Sequence, residues 1–180
     1  MRKLSGQELL AQYVEGQRDF SNLEVAEADL FEANLLDIDL SRSNLQKAYL
    51  PYTNLSNANL QEAQLQAAQL SDAQLCQANL TKANLQQTNL SRANLRYANL
   101  REANLSGADL QRADLSFADL RDANLEQADL RRANLEQANL KGAQLGGANL
   151  FCAQNAELEN ARLNASTINP DGYRQLDGEE

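Results

Sequence analysis

The 180-residue sequence contains no histidine and no tryptophan, and only two prolines, two cysteines and one methionine. Without histidine there is no Ser/His or Cys/His relay, no imidazole general base and no histidine metal site. No glycine-rich phosphate loop follows a strand pattern, and the Asp and Asn residues do not follow the glycine-rich calcium-binding repeat. The sequence therefore reads as non-enzymatic, with no cofactor and no metal. Cys76 and Cys152 lack paired spacing, which points to a reducing cytosol, hence a cytoplasmic location, rather than to a disulfide framework. No apolar run approaches the ~18 residues that a membrane span needs, so no membrane partner is expected. The opening MRKLSGQELL lacks the apolar stretch and cleavage site of a signal peptide.

Charge of one sign is also scarce where it would matter. The net charge is -9, but residues 1–40 carry three basic and nine acidic side chains, residues 41–150 eleven and ten, and residues 151–180 two and six. The acidity sits at the ends and the middle is nearly neutral. No basic stripe for direct nucleic-acid binding is present, and a uniformly acidic surface is only weakly supported.

What is present is a five-residue word. Phe20 and Val25, then leucine at all twenty-five stations from Leu30 to Leu150, fall on multiples of five. Two residues before each leucine stands Ala, except at Ile38, Ser43, Thr53 and Thr88, and the residue just before it is Asn, Asp or Gln, with Tyr49 the outlier. On an α-helix each step of five turns ~500°, which would wind the leucines around every side. A strand requires a period of two. A short extended piece followed by a corner satisfies both constraints: the Ala and Leu point inward, and the intervening Asn or Asp points outward, where it bonds backbone groups as in Asx turns. Corners of one hand, repeated, generate a solenoid stacked by backbone hydrogen bonds. Ala follows from crowding, because leucines fill the axis of a narrow tube.

The A(N/D)Lxx array from Ala28 to Leu150 resembles the pentapeptide repeat family. The resemblance implies an all-β solenoid, a right-handed quadrilateral β-helix with four pentapeptides per coil. It would have about seven to eight coils here and an N-terminal capping α-helix. Twenty residues per coil from station 20 to 150 gives roughly 33 Å of rod. The string Leu10, Tyr13, Gly16, Arg18, Phe20 resembles the lead-in of many cyanobacterial members.

The division expected is 1–17 capping helix, 18–168 repeat body, and 169–180 turn and polar tail. Ser5 with Glu8 three residues on forms a capping box, Leu9, Leu10, Tyr13 and Val14 give an apolar face, and Gly16 stops the helix. At the other end the register slips at Asn155 and resumes as Ala156/Leu158, Ala161/Leu163 and Ser166/Ile168, predicting a distorted last coil. NPDG at 169–172 is a turn, after which Tyr173 or Leu176 is placed to fold back over the open end.

Reading residues twenty apart as columns turns the two free letters into four faces. One carries Phe31, Tyr49, Pro51 and Tyr52, then Arg92, Arg112 and Arg132; the next carries Tyr97 directly beside Phe117. The candidate partner-binding residues are Phe31, Tyr49, Tyr52, Arg92, Tyr97, Arg112, Phe117 and Arg132, since exposed aromatics with arginine mark contact patches. The competing reading is that stacked aromatics only stabilise strands and that neighbouring acids such as Asp109, Asp114, Asp119, Asp129 and Glu126 neutralise the arginines. Asp109 and Asp129 stack one coil apart like a carboxylate pair, without a cleft. Cys76 and Cys152 lie on different outward faces, too far apart to bridge. The function expected is a non-enzymatic protein-binding scaffold for an unknown protein partner, monomeric or weakly dimeric through its C-terminal end. The alternative is a DNA-mimic inhibitor of a topoisomerase, as some family members imitate duplex DNA. Leucine rather than phenylalanine at the stations, a short tail and the mixed mid-rod charge depart from those mimics.

Overall fold

Why the word has five letters is answered by its backbone hydrogen bonds, seen in a computed structural model that describes residues 1–174. Around Leu95, Asn94 N donates to Ala73 O (2.9 Å), Leu95 N to Asp114 O (2.7 Å), Tyr97 N to Ser116 O (3.1 Å) and Ala98 N to Leu95 O (3.0 Å). The remaining donor, Arg96 N, goes to Asn94 Oδ1 at 3.2 Å. Thus every N–H of the pentapeptide is used, four by backbone and one by the Asn side chain, which is why a short polar residue precedes the leucine. The partners are one coil below and one coil above: Asn94 bridges both Gln74 and Asp114, in parallel register. Parallel bridges twenty residues apart run from Asp19↔Asp39 to Asn134↔Gln154, so four pentapeptides close each coil.

Where Gln replaces Asn or Asp, the longer side chain turns elsewhere: Gln64 Nε2 donates to Glu62 O and Gln69 Nε2 to Ala67 O. Inside, Leu95, Leu100, Leu105 and Leu110 are wholly buried, as are the alanines between them. The polar exceptions are accommodated individually: the hydroxyls of Ser43, Thr53 and Thr88 donate to the carbonyls of Phe20, Leu30 and Leu65, so none of these three hydroxyls is stranded. Ile38 fills its place by bulk and is fully buried.

The corner has a cost that the letters do not advertise. At the second residue after each station, from Asn22 to Gln137, every non-glycine has φ between +53° and +61°. A side chain in this left-handed region costs roughly 1 kcal/mol. The turn bond from the next Ala to Leu O and the bond to the neighbouring coil hold it there. Tyr52, Arg92, Tyr97, Arg112, Phe117 and Arg132 all occupy this position, so their Cα–Cβ directions are fixed by the scaffold.

The chain begins with β1 (Arg2–Lys3), which pairs in parallel with β2 (Leu23–Glu24), a strand absent from the expected helix-only lead-in. Between them lies α1 (Gly6–Val14), whose capping box is formed: Ser5 Oγ accepts from Glu8 N at 3.2 Å, and Glu8 Oε2 accepts from Ser5 N at 2.7 Å. Leu9 is fully buried, Leu10 and Tyr13 are half-buried, and Tyr13 Oη donates to Leu36 O at 2.8 Å. Val14, expected on the apolar face, is 84% exposed. Gly16, with φ +100°, takes the helix out of its path.

The final coil departs from the rule. Gln144 bridges Arg162, eighteen residues on, and Asn149 bridges Ile168, nineteen on. Ala161 and Leu163 keep the inward pair, but Ser166/Ile168 do not. Thr167 is the buried residue, its Oγ1 donating to Leu145 O at 2.8 Å, and Ile168 occupies the outward ladder position. The threonine hydroxyl finds an acceptor inside that isoleucine would leave empty. Opposite, between residues 137–141 and Glu157, Glu159 and Asn160, the missing residues open a notch of ≈ 540 Å³. The NPDG turn closes through Gly172 N to Asn169 O at 2.9 Å. Tyr173 is 74% exposed and does not cover the end; Ile168 instead pairs antiparallel with Arg174. Leu176 lies outside the described residues.

Candidate interaction face

The face of stations 30 to 150 collects most of the candidate residues. Phe31 stacks on Tyr49 with centroids 5.9 Å apart and meets Tyr52 edge-on at 6.0 Å. The three are 45%, 46% and 54% exposed, a contiguous aromatic patch on a surface whose backbone is pinned coil by coil. Tyr49 stands where the word has Asn or Asp, and no cap is lost, because the residue two on is Pro51, which has no N–H to be capped.

Along the same face the arginines are not equivalent. Arg92 grips Asp72 with two bonds, Nε to Oδ1 at 2.8 Å and Nη2 to Oδ2 at 2.6 Å. The Arg92 guanidinium holds the Asp72 carboxyl below its ordinary range, and the carboxylate raises the arginine in turn. Asp72 was not among the acids expected to offset this column, although it stands twenty residues before Arg92. Arg112 and Arg132 make no ion pair among the described residues. Asp109 caps Gln111 N, Asp114 binds Ser116 and Arg96, and Asp129 is occupied by Arg131 at 2.6 Å. Arg112, Arg131 and Arg132 with Gln111 and Phe151 line a depression of ≈ 260 Å³.

The adjoining face carries Tyr97 and Phe117 in a tight stack, 4.8 Å apart at 14°. Arg96 lies beside both rings, 5.7 and 5.9 Å from their centroids, and reaches Asp114 at 3.5 Å. Burial works against ionisation of Asp114, but its bonds from Ser116 and the Arg96 charge outweigh it and keep the carboxyl below the ordinary range. The four side chains satisfy one another. The third face pairs Lys82 with Glu102 and Arg121 with Asp119, and the fourth is mostly glutamine and glycine, with one ion pair, Lys47 to Glu27.

Asp109 and Asp129 do bridge one coil apart, yet each is committed to its own turn: Asp109 Oδ1 to Gln111 N and Asp129 to Arg131. No group of His, Cys, Asp or Glu with metal-binding geometry occurs among the described residues. Cys76 is half-buried, Cys152 is exposed, and both are free thiols. No helix among the described residues is long and apolar enough to cross a membrane.

A cornered tube with four pentapeptides per coil, closed by Asn and Asp caps around a leucine axis, defines a repeat class. The family described as Pentapeptide repeats matches residues 24–61, 58–96, 88–127, 118–151 and 128–167, in eight copies. The chain belongs to the pentapeptide repeat family, and its solenoid is the family's right-handed quadrilateral β-helix. Among solved structures it is similar to HetL, a pentapeptide repeat protein involved in heterocyst differentiation regulation from the cyanobacterium Nostoc sp. strain PCC 7120. The identity is 32%, covering 96% of this chain and all of HetL, with a TM-score of 0.38. A second pentapeptide repeat protein from Nostoc, alr5209, is 30% identical over 91% of this chain and 98% of its own, with a TM-score of 0.38. QnrB1, a plasmid-mediated fluoroquinolone resistance protein, is 15% identical over 83% and 80%, with a TM-score of 0.42. No curated protein matches the chain.

Proposed function

We propose that the protein is a non-enzymatic, cytoplasmic scaffold that binds a protein partner through the face of stations 30 to 150. The observation that carries this reading is the Phe31/Tyr49/Tyr52 patch: three touching rings, each about half exposed, on a rigid wall. Rigid aromatic surface loses little conformational entropy on contact, and aromatic and arginine side chains dominate binding hot spots. Arg92, Arg112 and Arg132 extend the face, while Tyr97 and Phe117 lie around the corner and contribute at its margin. In this division of labour residues 1–17 cap the first coil, residues 18–168 form seven to eight coils of scaffold, and residues 169–180 terminate it. Two free thiols fit a reducing compartment. Mimicry of duplex DNA toward a topoisomerase gains no support from this face, because arginines break up its acidic column. The test is capture of partner proteins from the source cell by the natural chain and by Phe31→Ser/Tyr49→Ser/Tyr52→Ser. Loss of the captured protein is expected, and undiminished capture by the triple variant sinks the assignment.

A further inference from the structure

One column on this face is complementary to itself when the rod is reversed. Read along the rod at the left-handed corner, it runs Glu32, Tyr52, Asp72, Arg92, Arg112, Arg132 and ends at the neutral Cys152. The first half is acidic or aromatic and the second half is basic. A two-fold axis lying across the face between Asp72 and Arg92 reverses the rod and brings the same column of a second molecule opposite. Glu32 then meets Arg132 and Tyr52 meets Arg112, while Asp72 and Arg92, already bonded to each other within each chain, meet across the axis.

We infer that this face pairs with itself, and that its partner is a second copy of this chain, side by side and antiparallel. The inference rests on the reading of the face as a binding surface and names the occupant. Several observations carry it. Arg112 and Arg132 point outward from fixed corners, stacked one coil apart with no carboxylate on either among the described residues, whereas Arg92, Arg96, Arg121 and Arg131 all have one. Like charges held at strand spacing repel, so the pair is incomplete without an outside anion or ring. Tyr52 and Phe31, at the acidic end, supply the ring faces on which guanidinium groups stack. Under the same axis Phe31 faces Arg131, and Tyr49 faces Asp109. The one like-charge meeting, Asp29 with Asp129, is relieved because Asp129 already holds Arg131.

The direction is selected by charge. A parallel pairing about an axis along the rod keeps the basic end of one molecule beside the basic end of the other, which costs binding. The contact closes, since a two-fold pairing uses the same patch on both molecules and leaves nothing to propagate. From Glu32 to Arg132 is five coils, roughly 24 Å, a small interface, so the dimer is concentration-dependent and salt-sensitive rather than permanent. It is lateral, unlike the end contact that the sequence suggests.

The test uses full-length protein and two charge-reversed variants, Arg112→Glu/Arg132→Glu and Glu32→Lys/Tyr52→Lys, in sedimentation velocity at low salt. Circular dichroism melting confirms that both fold. The natural chain is expected to shift with concentration from 19.9 kDa toward twice that mass, and each variant alone to associate at least about tenfold more weakly. Mixing the two variants restores the dimer. Only the mixed pair sets the carboxylates introduced at positions 112 and 132 of one variant against the ammonium groups introduced at positions 52 and 32 of the other, while the other half of the contact keeps its natural pairs. A natural chain that stays monomeric, variants that dimerise as it does, or a mixture that stays monomeric each overturns the inference. A monomeric natural chain that still loses its captured partner in the Phe31/Tyr49/Tyr52 variant refutes self-pairing alone and leaves the face's binding role standing.

Discussion

Two aromatic clusters stand on adjacent faces of one rod, and they are built differently. Phe31 touches Tyr49 and Tyr52 at 5.9 and 6.0 Å, no guanidinium covers any of the three rings, and only the Tyr52 hydroxyl is engaged, beside Asp72 and Arg92. Tyr97 and Phe117 stack at 4.8 Å with Arg96 beside both rings and Asp114 behind it. The second cluster satisfies its interactions internally, and its benefit appears as stability of neighbouring coils. The first has open ring area remaining, and its benefit appears only when something is placed on it. Exposure alone does not separate them, since Tyr97 at 49% is as exposed as Tyr49 at 46%. The count of satisfied neighbours does.

The largest effect expected is on binding. Serine at Phe31, Tyr49 and Tyr52 should weaken partner capture about hundredfold, the scale of a lost hot spot, with little change in melting temperature. Serine at Tyr97 and Phe117 should do the reverse, removing about 1 to 2 kcal/mol from denaturant-measured stability while leaving capture within about threefold. Next is Asp114→Ala, which strips the Ser116 cap and the Arg96 counter-charge and should cost about 1 kcal/mol at neutral pH. Because the folded carboxyl titrates below its ordinary value of 3.8, that contribution is present above pH 3.8 and fades as pH falls through the lowered folded value. A pH series of urea melts should therefore show variant and natural chain converging in acid. The smallest effect separates the clusters most finely. Tyr52→Gly relieves a φ of +58° and gives up one edge contact and an exposed hydroxyl contact with the Asp72–Arg92 pair, whereas Phe117→Gly relieves +61° and loses the stack. The first should gain about 0.5 kcal/mol in urea-measured stability and the second should gain nothing.

Much of this was legible in the letters. The invariant leucine, the Ala two before it and the Asn or Asp between them dictate the tube, because each answers a demand of packing or of an otherwise orphaned N–H. The twenty-residue columns then place Phe31 near Tyr49 and Tyr52, and Tyr97 on Phe117. The left-handed corner was not legible: Glu, Gln, Arg, Tyr and Phe occupy a position where glycine would be the local signal, and only the cooperative bonds between coils impose it. Nor was Thr167 distinguishable from its neighbours Ser166 and Ile168, because its inward turn depends on where two residues are dropped from the last coil. β1 was missed because two residues of strand leave no period to read. Arg92 could have been matched to Asp72 by the column rule, whereas the solitude of Arg112 and Arg132 among the described residues required knowing where every nearby carboxylate points.

The central claim is that the open cluster binds and the closed cluster only stabilises. It is tested most directly by measuring, on the same two preparations, partner capture and melting temperature for Phe31→Ser/Tyr49→Ser/Tyr52→Ser and for Tyr97→Ser/Phe117→Ser. The account predicts a crossed result: the first variant loses capture and keeps its melting temperature, and the second keeps capture and melts lower. Capture lost in the second variant and retained in the first would contradict it.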